Sequence, residues 1–102
     1  MAAPAVLALG RTFLHTDEYE IALFREVDVC TGHVRKYQRC LDRMEARHGM
    51  TTAAFLDRAR GGELPETPDF REWHAGSEAL QRWKEKRVEY ERLLEVMKIS
   101  AS

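Results

Sequence analysis

From Leu23 onward, apolar residues recur at Leu23, Val27, Cys30, Val34, Tyr37, Leu41 and Met44, with His48 next in line. The gaps between them run 4, 3, 4, 3, 4, 3 and 4. An α-helix gathers such positions into one stripe, the heptad seam of an amphipathic helix that needs a partner to cover it. Asp28, Arg35, Arg39, Asp42, Glu45 and Ala46 fall outside the seam and read as the solvated side. A chain built on this stretch folds around one long helix and whatever packs on its stripe.

The ends of that helix carry their own signals. Thr16 or Asp17 is the expected start, because Asp17 and Glu20 have capping-box spacing and acids favour the positive end of a helix dipole. Gly49 is the expected left-handed cap, with apolar Met50 after it. Thr31-Gly32 lies in mid-course, where a bend or a close approach by another backbone would suit a glycine. A short helix should follow, capped by Thr51 or Thr52, with Ala53, Ala54, Phe55, Leu56 and Ala59 as its apolar face and Gly61-Gly62 as its stop. Thr67-Pro68 then opens the last helix, Thr as N-cap and Pro in the first turn, expected to run to about Lys98. In it Leu80, Trp83, Arg87, Tyr90, Leu94 and Met97 keep the alternation, with Arg87 the one breach. Glu78–Arg82 and Arg87–Glu91 have the spacing of pairs one turn apart.

The predicted fold is therefore all-α, an antiparallel hairpin of two long helices with a short connecting helix. Residues 1–15 read as an amino-terminal arm and 16–102 as the hairpin domain. In the arm Val6–Leu9 could form a short strand ended by Gly10. Phe70, Trp73 and Trp83 are expected to face Tyr37, Leu41 and Met44.

Charge and composition narrow the classes. Net charge is −1, and Lys+Arg against Asp+Glu is balanced in both halves, 7 against 7 through Thr51 and 9 against 10 after it. That balance argues against nucleic acid as the main partner. No apolar run approaches the ~20 residues needed to cross a bilayer, so no membrane partner is expected and the location read from the sequence is cytoplasmic. Residues 1–15 lack the basic start and long apolar run of a secretory signal. Cys30 and Cys40 are ten residues apart, about 15 Å on a continuous helix. A disulfide needs Cα atoms within ~7 Å, so two free thiols and a reducing compartment are expected.

Chemical signatures are sparse. Cys30 and His33 could share a helix face, but His15, His48 and His74 are scattered and no CxxC or HExxH occurs. A zinc site needs about four converging ligands, so no metal and no cofactor are expected, with His33 read as a surface residue. Gly61-Gly62 lacks the preceding strand and the Lys-Ser/Thr of a phosphate loop. No cysteine motif supports a nucleophile, and the chain reads as non-enzymatic. Arg35, Arg39, Arg43 and Arg47 recur every fourth residue with Lys36 beside them. This is either a solvated face partly paired with Asp42 and Glu45 or a contact for an acidic partner or nucleic-acid backbone.

One block carries a resemblance. Met44-Glu45-Ala46-Arg47-His48-Gly49-Met50 followed by Phe55, then Gly62-Glu63-Leu64-Pro65, then Asp69-Phe70-Arg71-Glu72-Trp73, resembles a group of small helical prokaryotic proteins regarded as antitoxin-like partners of small toxins. In that group a long helix ends in a Lys-Tyr-Gly cap and leads through a short helix and a Gly-Glu-Leu loop to a Tyr/Phe-x-x-Trp helix start. Here His48 stands where Tyr is usual. The resemblance implies a protein-binding module in a toxin–antitoxin pair, with Gly49, Phe55 and Trp73 in structural roles. The alternative is a self-associating coiled-coil scaffold. Either way a two-helix hairpin leaves apolar surface uncovered, for a second copy or another protein. The expected partner-binding residues are Val6, Leu7, Leu9, Phe13, Leu14, Ile21 and Phe24.

Overall fold

The computed structural model describes the backbone of residues 9–101 and the side chains of residues 18–97. The chain forms three helices, α1 (Leu9–His48), α2 (Thr52–Arg60) and α3 (Pro68–Ala101), and α1 packs along α3. The fold is an all-α hairpin whose short connecting helix lies at one end. The register is antiparallel: Thr31 meets Arg87, His33 meets Trp83, and Cys40 meets both Gly76 and Glu72. The molecule measures 62 × 22 × 21 Å and its radius of gyration is 20.3 Å. A compact chain of this length would have about 13 Å, so this is a rod in which each long helix covers only one side of the other.

The seam behaves as its spacing demands. Leu23, Cys30, Leu41 and Met44 are buried, Val27, Val34, Tyr37 and His48 are half-buried, and Asp28, Arg35, Arg39, Asp42 and Ala46 are exposed. The core cluster joins Leu41 and Met44 to Phe55, Trp73 and Leu80, with Val34, Tyr37, Met50, Leu56, Leu64 and Phe70 packed around it. Both cysteines are free and buried, as a continuous helix requires.

Three expectations are corrected here. First, α1 begins at Leu9, so Thr16, Asp17 and Glu20 lie inside a helix rather than at its start, and Gly10 ends no strand. Residues 9–15 thus extend the helix through what reads as an arm. Propagating a helix already nucleated and packed costs little per residue, which lets it run past an internal capping pattern. Residues 6–8 of the expected strand lie outside the described residues. Second, Gly32 has nothing within 4 Å of a Cβ built on it, whereas Gly76 would place one 3.4 Å from Cys40 Sγ and 3.6 Å from Leu41 Cδ2. The close approach between the helices is therefore at Gly76. Third, α3 continues past Lys98 to Ala101.

Candidate interaction surfaces

The closed end of the hairpin is held by side chains that reach between all three helices. α1 stops at His48, and Gly49 takes φ +67° while its N–H donates to the Glu45 carbonyl over 2.9 Å. α2 restarts with Thr51 as N-cap, its Oγ1 accepting from the Ala54 N–H at 3.1 Å. Thr52 is the node. Its backbone N–H donates to the Glu45 carboxylate of α1 at 2.7 Å, and its hydroxyl accepts from Trp73 Nε1 of α3 at 3.0 Å. Trp73 is fully buried and stacks on Phe55 at 4.1 Å with the rings nearly parallel. α3 opens on Thr67, whose Oγ1 accepts from the Phe70 N–H at 3.1 Å.

An ion cluster closes the same end. Asp69 Oδ2 accepts from Arg47 Nη1 at 2.8 Å and lies 3.0 Å from His48 Nε2. Arg47 sits in the last turn of α1 and Asp69 in the first turn of α3, so each also meets the favourable end of its own helix dipole. The hydrogen bonds from Arg47 and His48 hold the Asp69 carboxyl below its usual range. His48 also packs on Phe70 and Trp73 at ring distances of 5.0 and 5.6 Å. His48 thus packs its ring on two aromatic side chains and aims a nitrogen at Asp69. Beside this cluster a groove of ≈ 560 Å³ opens over Phe55, Leu56, Leu64 and Phe70. The charged groups along it are matched: Arg60 pairs with Asp57, Arg71 with Glu66, and His74 stands 3.7 Å from Glu78.

Several sequence expectations move when the chain folds. Phe70 and Trp73 join Leu41 and Met44, but Trp83 does not; it stacks on His33 at 4.0 Å. His33 is therefore half-buried under an indole, not a plain surface residue. Arg87, the breach in the α3 seam, donates to Thr31 Oγ1 at 3.4 Å instead of pairing with Glu91, and Glu78 faces His74 rather than Arg82. A long side chain at a seam position lays its stem along the interface and carries its head to the nearest acceptor. In the arginine row, Arg47 binds Asp69, while Asp42 accepts from Gln38 and Glu45 serves α2. So the expected pairing of the row with Asp42 and Glu45 does not occur. The sequence carried no clear signal for the Asp69 cluster or the His33–Trp83 stack, since both depend on register across the hairpin.

Of the expected partner-binding residues, Val6 and Leu7 lie outside the described residues. Leu9, Phe13 and Leu14 fall on α1 backbone, and their side chains lie outside the described ones. Ile21 and Phe24 are 53% and 49% exposed. The exposed large hydrophobics among the described residues are Tyr19, Ile21, Phe24 and Val29 on α1 and Val88, Leu93 and Val96 on α3. With Thr31 opposite Arg87, the antiparallel register brings Val88, Leu93 and Val96 level with Val29, Phe24 and Ile21. Among the described residues the exposed large hydrophobics thus run from the middle of the rod, at Val29 and Val88, toward its open end. Gly49, Phe55 and Trp73, in contrast, stand at the closed end in structural positions.

Both thiols are pushed up from their ordinary values, first by burial. Glu26 adds to this at Cys30, and Glu72, 3.8 Å from the Cys40 sulfur, adds to it at Cys40. Neither is a poised nucleophile, because the thiolate is the reactive form. Among the described residues no three His, Cys, Asp or Glu side chains converge on a point, and no helix is long and apolar enough to cross a membrane. Comparison with protein-family models, with curated proteins and with solved structures returned no match.

Proposed function

We propose that this chain is a non-enzymatic, cytoplasmic protein-binding module, an antitoxin-like or accessory hairpin that seats another small protein on its open end. The observation that carries this reading is the exposed apolar set on α1, Ile21 and Phe24 above all, which α3 does not cover. Interfaces draw their energy from a few aromatic and aliphatic anchors that become fully buried on binding, and these two residues have that chemistry. The resemblance of the Met44–Trp73 block to antitoxin-like proteins supports the choice of partner class. A self-associating scaffold is the second reading, favoured by Val88, Leu93 and Val96 at the same level of the rod. There a second copy could cover both helices at once.

The test is co-expression with the product of the adjacent reading frame. Changing Ile21→Ala together with Phe24→Ala is expected to leave helicity intact, abolish co-purification and fail to rescue growth of cells expressing the neighbour. If the neighbour is harmless alone and the protein captures only itself, the antitoxin reading is wrong and the scaffold reading replaces it.

A further inference from the structure

On the outer face of α1, Arg35, Lys36, Arg39 and Arg43 are all exposed, and none of the ion pairs found among the described residues involves them. The three arginines are spaced four residues apart, about 6 Å per step and ~12 Å in all. About one turn before the first lies Gly32, on the same side of the helix by its spacing, with open space over its α-carbon. Of the acids nearest in sequence, Glu45 is turned to the Thr52 N–H and Glu72 of α3 reaches Cys40, while Asp42 accepts from the uncharged Gln38 amide and keeps its charge beside Arg39 and Arg43. The result is a local block of four positive charges against one acid, Asp42, on a chain whose net charge is −1.

The makeup of this face decides the kind of ligand. From residue 30 to the end of α1, none of the large hydrophobics is exposed. The face therefore lacks the buried aromatic or aliphatic centre from which protein interfaces take their energy. Four exposed ion pairs with an acidic protein segment would each contribute little. A nucleic-acid backbone differs, because each phosphate neutralised releases condensed counterions, and that gain needs no apolar contact. Guanidinium forks also match phosphate oxygens two at a time. We infer that the Arg35–Lys36–Arg39–Arg43 face is a phosphodiester-backbone contact, separate from the apolar open end and secondary to it.

The experiment titrates the full chain into labelled 20-nucleotide single-stranded and duplex probes across 50–200 mM salt, with poly-glutamate as the acidic polypeptide. Neutralising about four phosphates should give a log–log salt slope of roughly −3 for single strands and roughly −4 for duplex, so the two slopes separate the forms. Arg35→Gln with Arg39→Gln and Arg43→Gln should weaken binding at least tenfold at 50 mM salt and flatten the slope by roughly 2 to 3. Helicity should stay unchanged, since all three positions are exposed. The matching Arg→Lys triple should retain the slope, and Ile21→Ala with Phe24→Ala should retain binding. Absence of binding by the wild-type chain at ~100 µM, the weak end of the non-specific range, would overturn the inference. A slope indifferent to the glutamine triple, or binding to poly-glutamate as tight as to nucleic acid, would overturn it as well.

Discussion

Gly49 sits at φ +67° with open space around it, while Gly76 sits inside a helix against Cys40 and Leu41. The two glycines therefore have opposite reasons to be there. A Cβ at Gly49 meets backbone strain of about 1–2 kcal/mol, more for a β-branched residue. Gly49→Val should lower the melting temperature by several degrees, at the ~4–8 °C per kcal/mol typical of this size. At Gly76 an alanine Cβ makes ordinary contacts at 3.4 and 3.6 Å and gains helix propensity of up to ~1 kcal/mol. Gly76→Ala should leave the melt unchanged or raise it; equal losses at both sites would mean that α1 does not end at Gly49. Burial likewise sets the thiols: Cys30 and Cys40 should resist a thiol reagent at pH 7 until the chain unfolds. Asp69 titrates low in the folded chain, so its stabilising share is present above the ordinary aspartate value of ~3.9. It is lost as pH falls through the lowered one. An acid titration of Asp69→Asn should show a shallower loss of stability than the wild type below that value.

At the scale of elements, α2 matters more than its nine residues suggest, because Thr52 ties it to α1 by its N–H and to α3 by its hydroxyl. Thr52→Val keeps the shape and removes the acceptor, leaving the indole N–H of fully buried Trp73 unpaired. An unsatisfied buried donor costs ~1–3 kcal/mol. Chemical denaturation should register a larger loss for Thr52→Val than for Thr51→Ala, which removes one exposed cap worth ~1 kcal/mol. The reverse order would show that the Trp73–Thr52 bond does not anchor the connection. Phe55→Ala empties one side of the Trp73 stack and should cost about 3–5 kcal/mol, as aromatic deletions in cores do.

At the scale of the whole molecule, the rod shape spreads a small core along 62 Å. Its tightest packing, Leu41, Met44, Phe55, Trp73 and Leu80, is at the closed end. At the open end Leu23 and Leu94 are buried among exposed apolar neighbours. Local stability follows buried contacts, so amide exchange should be slowest from residue 37 to 48 and from 70 to 80. It should quicken toward residues 20 and 96. On the proposed reading, association would slow exchange at the open end only. Sedimentation across micromolar concentrations checks this, since a well-folded monomer with unchanged exchange throughout would count against self-association.

What the amino-acid order determined by itself is local. The 3–4 spacing made α1 and α3 amphipathic, Gly49 and Gly61-Gly62 broke the chain, and Thr51 and Thr67 restarted it, because each of these acts within a turn or two of helix. The all-α hairpin follows from those elements, since the breaks on either side of the short helix let α3 turn back and cover the stripe on α1. What only the tertiary structure decided depends on register between segments far apart in sequence. That register places Trp83 on His33, sends Arg87 to Thr31, closes Gly76 onto Cys40, and brings Arg47 and His48 together at Asp69. Sliding one long helix along the other by a turn would keep every periodic match in the sequence and lose all four. The start of α1 at Leu9 was hidden for a related reason. A capping pattern states a preference worth about 1 kcal/mol, and a helix already propagating through Thr16 and Asp17 has no need to begin there.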